Sequence, residues 1–210
     1  MMYLDLEFPA FSQTAINADH GYHLYAGLCR ALQSLHSDSL VGVHPIRGRQ
    51  IGNRLVQLMP WSSVQLRLPQ DKVGDVISLA GKSIDIRDRT ITLGVPSVKA
   101  LEPATALRSR LVTIKGFQQP EEFAEAVRRQ LDALEIGEQC VLTVGKRRTL
   151  KIKEKEVVGF EVILEGLLAS ESLTVQESGI GGRRHMGCGM FVRWAPSKPQ
   201  DASEKDASDD

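Results

Sequence analysis

The first half of the chain has the hydrophobic pattern of several strands interrupted by two helices. From Tyr3 to Phe8 apolar and polar residues alternate, which predicts a strand with one buried face. From His20 to His36 apolar residues recur at steps of three and four, which predicts a helix with Asp19 as its N-cap. A second helix is predicted from Gln70 to Ala80, ending before Gly81. The other strands predicted in this half are Leu40 to Ile46, Arg54 to Met59, Ser63 to Leu68 and a hairpin over residues 82–95.

The second half restarts this order of elements. Leu107 to Lys115 has the pattern of a strand, and Pro120 is well placed at the start of a helix whose apolar stripe ends near Gly137. Further strands follow, with a short helix from Glu171 to Glu177 capped by Ser170. These strands are Gln139 to Val144, Thr149 to Lys153, Val157 to Gly166 with Gly159 as a bulge or kink, and finally His185 to Trp194.

Both halves have the order strand, helix, strands, short helix, strand, which is that of a ferredoxin-like βαββαβ unit. We therefore expect an α+β protein with two tandem ferredoxin-like (RRM-like) domains. The N-terminal domain covers residues 1–100, and the C-terminal domain, with a glycine-rich loop, covers residues 101–196. No sequence repeat relates the two halves, and a single mixed α+β domain is the alternative.

Charge is unevenly distributed, although the chain has 26 basic and 26 acidic residues. Residues 197–210 contain five acids and two lysines among small polar residues, which predicts a disordered acidic tail. The preceding 196 residues contain 24 basic and 21 acidic residues, and their cations are bunched in the acid-poor segments 39–70, 103–120 and 146–155. These segments are candidate phosphate contacts, unless their cations only solvate exposed strand faces.

Cysteine usage and the lack of long apolar stretches argue against a membrane protein, a secreted disulfide-rich protein and a zinc protein. No stretch approaches the roughly eighteen apolar residues of a membrane helix, and Asp5 and Glu7 lie where a signal peptide would be basic. Cys29, Cys140 and Cys188 lie far apart without a CxxC pair, which favours neither a disulfide framework nor a zinc site. We expect a cytoplasmic protein without membrane contact, whose cysteines are packing residues.

The densest motif is the glycine-rich segment 179–189 (GIGGRRHMGCG). Glycine permits positive φ and close backbone approach, so consecutive N–H groups could point at a phosphate, with Arg183 and Arg184 adding charge. The alternative is an ordinary tight connection between a helix and a strand. A dinucleotide fingerprint fails because its third glycine would fall on Arg184, and a Walker motif before Ser83 fails because Val76 stands where a glycine is required.

Two glycine–apolar–glycine triplets separated by five residues resemble the glycine-rich signature of the repeat-associated RNA-binding proteins of CRISPR systems. Residues 18–25 (ADHGYHLY) resemble the entry to the first helix in one family of that superfamily, the repeat-RNA processing endoribonucleases numbered six among the Cas families. Residues 44–48 (HPIRG) and 111–117 (LVTIKGF) resemble segments of a smaller subgroup associated with type I systems. The resemblance covers residues 1–195.

The resemblance implies cleavage of CRISPR precursor RNA within its repeats, by attack of a ribose 2′-OH on the adjacent phosphate. It implies no metal and no other cofactor, because the nucleophile belongs to the substrate. His20 is the first candidate for proton transfer, with His185 as its competitor and Lys115 as a cation that stabilises the phosphate. His23 could assist or orient, whereas the alternative for His20 is an ordinary exposed histidine in the first helical turn.

The repeat RNA, often a stem-loop, is expected to contact the basic hairpin and the glycine-rich segment. The candidate RNA-binding residues are Arg47, Lys146, Arg147, Arg148, Lys151, Lys153, Gly179, Gly181, Gly182, Arg183, Arg184, Gly187 and Gly189. Other Cas proteins of an effector complex are candidate partners. The main rival hypothesis is a non-catalytic RNA-binding subunit of such a complex, and the failed motifs disfavour a nucleotide enzyme.

Overall fold

A large antiparallel sheet dominates each half of the chain. The computed structural model describes residues 2–36, 38–153 and 155–195, so the predicted tail, residues 197–210, lies outside the described residues. The strands are β1 (Tyr3–Phe11), β2 (Ile16–Asn17), β3 (Gly42–Val43), β4 (Arg49–Gln50), β5 (Leu55–Gln57), β6 (Ser63–Pro69), β7 (Ser83–Ile86), β8 (Arg89–Leu93), β9 (Ser97–Ala100), β10 (Ala106–Val112), β11 (Val141–Ile152), β12 (Lys155–Glu165) and β13 (Val192–Arg193). The α-helices are α1 (Gly21–Ala31), α2 (Val73–Val76), α3 (Pro120–Ala133) and α4 (Ala169–Ser178). None of these helices is long and apolar enough to cross a membrane.

In the first half, β1 is the central strand of a sheet with the order β3–β6–β1–β8–β7. On one side it pairs with β6, and on the other side its beginning pairs with β9 and its end with β8. The short strands β2, β5 and β4 form a separate three-stranded sheet. The four strands β1, β3, β6 and β8 thus form a βαββαβ unit, with α1 after the first strand and α2 after the third.

The second half repeats this arrangement with the order β11–β12–β10–β13. Helix α3 connects β10 to β11, and α4 connects β12 to β13. In both halves the first strand lies between the third and the fourth, while the second pairs with the third. The prediction of two tandem ferredoxin-like units is therefore confirmed, whereas the boundary at residue 100 stays a prediction.

The predicted helix α3 is confirmed, and its proline and apolar stripe agree with the way it packs. Pro120 lies in its first turn, where the missing N–H costs no hydrogen bond. Phe123, Val127 and Leu131 are fully buried on one face. Phe123 packs against Phe160 of β12, with ring centroids 4.8 Å apart, so the helix covers one face of the second sheet.

The first two helices differ from their predicted spans. Helix α1 ends at Ala31 and not at His36, because Leu32 has an extended backbone and the chain continues as a separate 3₁₀ turn. The span Gln70–Leu79 alternates between 3₁₀ and α turns. Gly74 and several β-branched residues lower helix propensity there.

The predicted strand from His185 to Trp194 is wrong over most of its length. Residues Arg184–Met186 form a 3₁₀ turn, and β13 has two residues. Arg183, Gly187 and Gly189 have positive φ, so the chain turns repeatedly and cannot continue as a strand.

The predicted start of the preceding helix also shifts. Helix α4 begins at Ala169 with Leu168 as its N-cap residue, and not after Ser170. The Glu171 carboxylate accepts the Leu168 N–H at 2.8 Å, so the stabilising group sits inside the helix.

Strands β11 and β12 form the expected basic hairpin, with arms longer than the predicted strands. Residues 145–148, predicted to lie outside strands, belong to β11, and the pairing with β12 is irregular between Val144 and Arg147. Gly159 of β12, predicted as a bulge or kink, faces Arg148, and a Cβ built on it would lie 2.1 Å from the Val112 carbonyl oxygen. Glycine is therefore required there for the close approach of β10.

Buried polar contacts join the two halves. Arg67 of β6 is 2% exposed and forms a bidentate pair with Asp5 of β1, at 2.8 and 2.7 Å. Its Nη1 also donates to the carbonyl oxygens of Gln176 at 3.1 Å and Phe191 at 2.7 Å, both in the second half. A side chain of the first sheet thus holds the end of the second unit.

Candidate functional site

A cavity of about 590 Å³ lies between the two halves, and we call it the cleft. One wall is the entry to α1 together with the turn between β7 and β8, and the other wall is the outer part of the β11–β12 hairpin. Its basic side chains are Arg54, Arg87, Lys151 and Lys153, and its carboxylates are Asp19, Asp88 and Glu156. His20 and His23 also line the cleft.

His20 is buried, with 3% of its surface exposed, although it lines the cleft. Its Nδ1 lies 2.9 Å from the Asn17 carbonyl oxygen, and the backbone N–H of Ile46 donates to its Nε2 at 2.9 Å. This pattern assigns the proton to Nδ1, which donates to Asn17. Burial lowers the pKa of His20, so its ring is neutral at pH 7. The structure therefore differs from the alternative expectation of an exposed histidine.

Asp19 links the hairpin to the entry of α1. Its predicted role as N-cap is wrong, because His20 is the N-cap residue and no side chain caps the helix. The Asp19 carboxylate instead accepts the backbone N–H of Lys151 at 2.9 Å and lies 3.5 Å from the Arg54 guanidinium. One carboxylate thus holds together walls of the cleft that are 132 positions apart in the chain.

His23 lies one turn further along α1 and is partly exposed in the cleft. Burial and then the nearby charges of Arg87 and Arg30 lower the pKa of His23, while Asp19 and Asp88 oppose this effect. Within the described residues, neither of its ring nitrogens has a hydrogen-bond partner. The ring is therefore neutral at pH 7 and open to a ligand in the cleft.

Three arginines lie close together on β10 and β11, beside the cleft lining. Arg110 lines a recess of about 50 Å³ that shares His20 with the cleft. Burial and then the charge of Arg148 lower the pKa of Arg110. Arg108 pairs with the buried Glu161, and Arg148 lies 3.9 Å from the same carboxylate. Arg148, a predicted RNA-binding residue, therefore already has a protein partner.

The other predicted cations lie at different places relative to the cleft. Lys151 and Lys153 line it. Arg47, Lys146 and Arg147 are exposed but are not among the described residues that line it. Lys115 is exposed in the turn after β10, also outside that set.

The glycines of the segment 179–189 serve close packing within the protein. Their backbone N–H groups all have protein acceptors: Gly179 donates to Val175, Gly181 to the Gln130 side chain, Gly182 to Thr113, Gly187 to Arg184 and Gly189 to Leu111. The ideal Cβ of Gly189 would lie 2.1 Å from the Ile180 carbonyl oxygen, and that of Gly187 2.8 Å from Pro45 Cγ. The glycine N–H groups of this segment are therefore already engaged within the protein.

The three side chains at the centre of that segment point to different places. Arg184 is partly buried, donates to the Glu177 carbonyl oxygen at 2.6 Å, and has its pKa lowered by burial. Arg183 is partly exposed, with Nη1 3.4 Å from the Thr113 hydroxyl. The ring of His185 stacks on Tyr25 of α1 at 4.4 Å between centroids, outside the lining of the cleft.

Sequence reasoning missed Arg87 as a site residue. Arg54 and Arg110 belong to the acid-free segments 39–70 and 103–120, which the sequence had indicated as candidate phosphate contacts. Arg87 lies among aspartates in the β7–β8 turn, and its place beside the hairpin depends on the packing of the two halves.

The histidines and cysteines do not cluster. No three His, Cys, Asp or Glu side chains within residues 2–36, 38–153 and 155–195 are grouped as metal ligands. Cys29, Cys140 and Cys188 are free thiols. Burial raises the pKa of Cys188 to about 11, so this thiol is protonated at pH 7, as suits a packing residue.

Comparison with known proteins gives two sequence matches that span most of the chain. The family model described as Cas6 Crispr matches residues 4–195. The CRISPR-associated endonuclease Cas6 of Myxococcus xanthus (strain DK1622) is 42% identical over 192 residues, which are 91% of this chain and 82% of that protein.

Solved structures of low sequence identity share the fold. A structure described as the characterization of a Cas6-related gene from Pyrococcus furiosus has a TM-score of 0.65 at 14% identity, covering 93% of this chain and all of that chain. A structure described as an RAMP protein binding different RNA substrates has a TM-score of 0.60 at 13% identity, covering 91% of this chain and 98% of that chain. The fold, the family model and the identity to the curated relative agree, and the chain belongs to the Cas6 family of CRISPR-associated endonucleases.

Proposed function

We propose that the protein is an endoribonuclease that cleaves CRISPR precursor RNA within its repeats and so produces guide RNAs. The ribose 2′-oxygen attacks the adjacent phosphorus, the bond from phosphorus to the 5′-oxygen breaks, and the products carry a 2′,3′-cyclic phosphate and a 5′-hydroxyl. The RNA supplies the nucleophile, so the protein needs to move protons and stabilise charge on the phosphate, without a metal-activated water. The 42% identical endonuclease supports the activity.

The cleft is the observation that carries this proposal. It brings two imidazoles and four cations, from both halves of the chain, around one space. Imidazole transfers protons near neutral pH, and arginine and lysine bind phosphate oxygens. We therefore propose the cleft around His20 as the catalytic site. Lys115 and His185, the other predicted catalytic residues, are not among the described residues that line it.

The β11–β12 hairpin is the proposed contact for the repeat RNA. Lys146 and Arg147 are exposed on β11 before it reaches the cleft, and Lys151 and Lys153 line the cleft further along the hairpin. RNA phosphates bound along β11 would therefore lead into the site. We also propose that the protein contacts other Cas proteins of an effector complex. The product RNA would remain bound to the hairpin after cleavage and would bring these proteins together.

The test is incubation of the purified protein with the CRISPR repeat RNA encoded beside its gene, in EDTA, with analysis of the product ends. We expect one discrete cut that leaves a cyclic phosphate. The variant Lys151→Gln/Lys153→Gln should weaken apparent RNA binding about tenfold, or roughly 0.7 kcal/mol per cation. Lys115→Gln is the matched control and should leave binding and cutting unchanged if the site is the cleft.

Other outcomes would change the assignment. If the wild-type protein binds the repeat RNA without cutting it, the non-catalytic RNA-binding subunit is correct. The engagement of both His20 nitrogens by backbone groups is the observation that favours this second candidate. A loss of cutting in Lys115→Gln alone would move the site away from the cleft.

A further inference from the structure

Two histidines one helical turn apart lie in opposite environments. His20 has both ring nitrogens in hydrogen bonds to backbone groups of Asn17 and Ile46, and it is almost completely buried. His23 is partly exposed in the cleft, and the described residues offer its ring no hydrogen bond. The two rings are therefore suited to different tasks.

His20 is arranged to hold backbone in place. Its Nε2 lone pair is occupied by the Ile46 N–H, so gaining a proton there would require that bond to break and leave a buried amide without a partner. Ile46 follows Pro45, whose ring packs against Gly187 of the glycine-rich segment. Through these contacts His20 fixes residues 45–46 and the start of α1 relative to each other.

His23 is arranged to meet a ligand. Its ring lines a cleft of about 590 Å³, a volume in the usual range of small-ligand sites. Arg54, Arg87, Lys151 and Lys153 line the same space and can bind phosphate oxygens. A phosphodiester held by these cations would lie in the space that the His23 ring faces.

We infer that His23 is the catalytic base of the proposed RNA cleavage and that His20 is a positioning residue. This inference rests on the proposed function. The neutral His23 ring takes the proton of the 2′-OH as its oxygen bonds to phosphorus. The bond from phosphorus to the 5′-oxygen then breaks, that oxygen takes a proton from water, and the proton on His23 returns to solvent.

The assignment predicts the direction of the pH dependence. A base must be neutral, so the rate rises with pH until His23 has lost its proton and then levels off. Burial and then Arg87 and Arg30 lower the pKa of His23, against Asp19 and Asp88, so the midpoint of the rise should lie below about pH 6.5. The other charged groups around the cleft are Arg54, Lys151, Lys153 and Glu156.

The experiment measures single-turnover cleavage of the repeat RNA from pH 5 to 8, together with repeat binding. His23→Gln should lower the rate about 100-fold or more, keep binding within about threefold, and remove the rise with pH. His20→Gln should lower the thermal unfolding midpoint, because Gln replaces the buried ring, but its residual cleavage should keep the rise with pH. His36→Gln, in the exposed turn after α1, is the matched control and should keep the wild-type cleavage rate and pH profile.

Each contrary result overturns a different statement. A rate for His23→Gln within about threefold of wild type, or an unchanged pH profile, overturns the assignment while leaving the proposed function intact. Loss of the pH-dependent rise in His20→Gln alone transfers the role to His20. A wild-type protein that binds but does not cut overturns the proposed function and this assignment together. If His20→Gln does not fold, the pH profile of cleavage by His23→Gln decides whether His23 is the base.

Discussion

At the level of single residues, Arg67 is paired with Asp5 in the first half and bonded to two carbonyl oxygens of the second half. Arg67→Met leaves the Asp5 carboxylate buried without its bidentate partner and leaves two carbonyl oxygens of the second half without a donor. We expect the free energy of unfolding to fall by about 3–5 kcal/mol. Urea denaturation at pH 7, followed by circular dichroism, measures this loss.

The control for this pair is an exposed one. Arg193 and Glu102 form an ion pair with both side chains more than half exposed, and Arg193→Met should cost no more than about 1 kcal/mol. Burial alone would raise the pKa of Asp5, but the His44 ring 3.6 Å away and the hydrogen bonds from Arg67 hold it well below its usual range. The advantage of wild type over Arg67→Met is therefore full above about pH 4 and shrinks as the pH falls below it. Equal losses in the two variants would contradict a structural role for the buried pair.

Position 189 requires glycine for two reasons, the positive φ of its backbone and the lack of space for a Cβ atom. It has φ +66°, and an added Cβ would lie 2.1 Å from the Ile180 carbonyl oxygen. Gly116 has φ +91° but open space around it. We expect Gly189→Ala to lower the free energy of unfolding by about 2–5 kcal/mol and Gly116→Ala by about 1–2 kcal/mol. Denaturant titration of both variants checks this, and equal losses would show that backbone strain alone accounts for the effect.

At the scale of elements, the β11–β12 hairpin offers separable cations for RNA. Lys146→Gln/Arg147→Gln removes two exposed charges, and we expect weaker repeat binding with a salt dependence shallower by about one unit of slope per lost phosphate contact. Binding constants measured at several salt concentrations test this.

Arg148→Gln is the informative comparison for that hairpin. Arg148 lies 3.9 Å from the buried Glu161. Its replacement should therefore lower the thermal unfolding midpoint and leave the salt dependence of RNA binding close to that of wild type. A salt slope unchanged by the Lys146 and Arg147 substitutions would place the RNA elsewhere on the surface.

Elements were predictable where local and tertiary preferences coincide. Helix α3 has its proline at the start and its apolar stripe on the buried face, so sequence periodicity was sufficient. The end of α1 was not predictable, because the extended backbone of Leu32 interrupts an apolar pattern that continues to Leu35. The last strand failed because Gly187 and Gly189, inside its predicted span, have positive φ, a conformation that glycine permits but does not dictate.

The whole molecule decides which residues share a site. The order of elements predicted two ferredoxin-like units, and the resemblance selected the His20 region. The cleft depends on contacts between distant positions, such as the Asp19 carboxylate and the Lys151 N–H, which no local pattern encodes. For the same reason, the burial of His20 by Ile46 and the exposure of His23 could not be distinguished from their spacing on one helix.

Contacts between the halves also predict that the molecule unfolds as one cooperative unit. Arg67 bonds to the second half, and the Asp19 carboxylate bonds to the hairpin, so loss of either unit exposes polar groups buried in the other. In a Trp61→Phe background, Trp194 is the remaining tryptophan and reports the second half. Leu6→Ala, in the first core, should lower stability by about 2–5 kcal/mol and shift the Trp194 fluorescence midpoint together with the circular dichroism midpoint.

The matched substitution in the second core is Leu164→Ala, which should shift both probes in the same way. If both midpoints shift together in both variants, the two units unfold together. Leu6 belongs to the first core, whereas Trp194 follows the last strand of the second sheet. If Leu6→Ala moves the circular dichroism transition but leaves the Trp194 midpoint in place, the two units unfold independently. The cleft between them would then be held by weaker contacts than the buried Arg67 bonds and the Asp19 bond imply, and its geometry would depend on bound RNA.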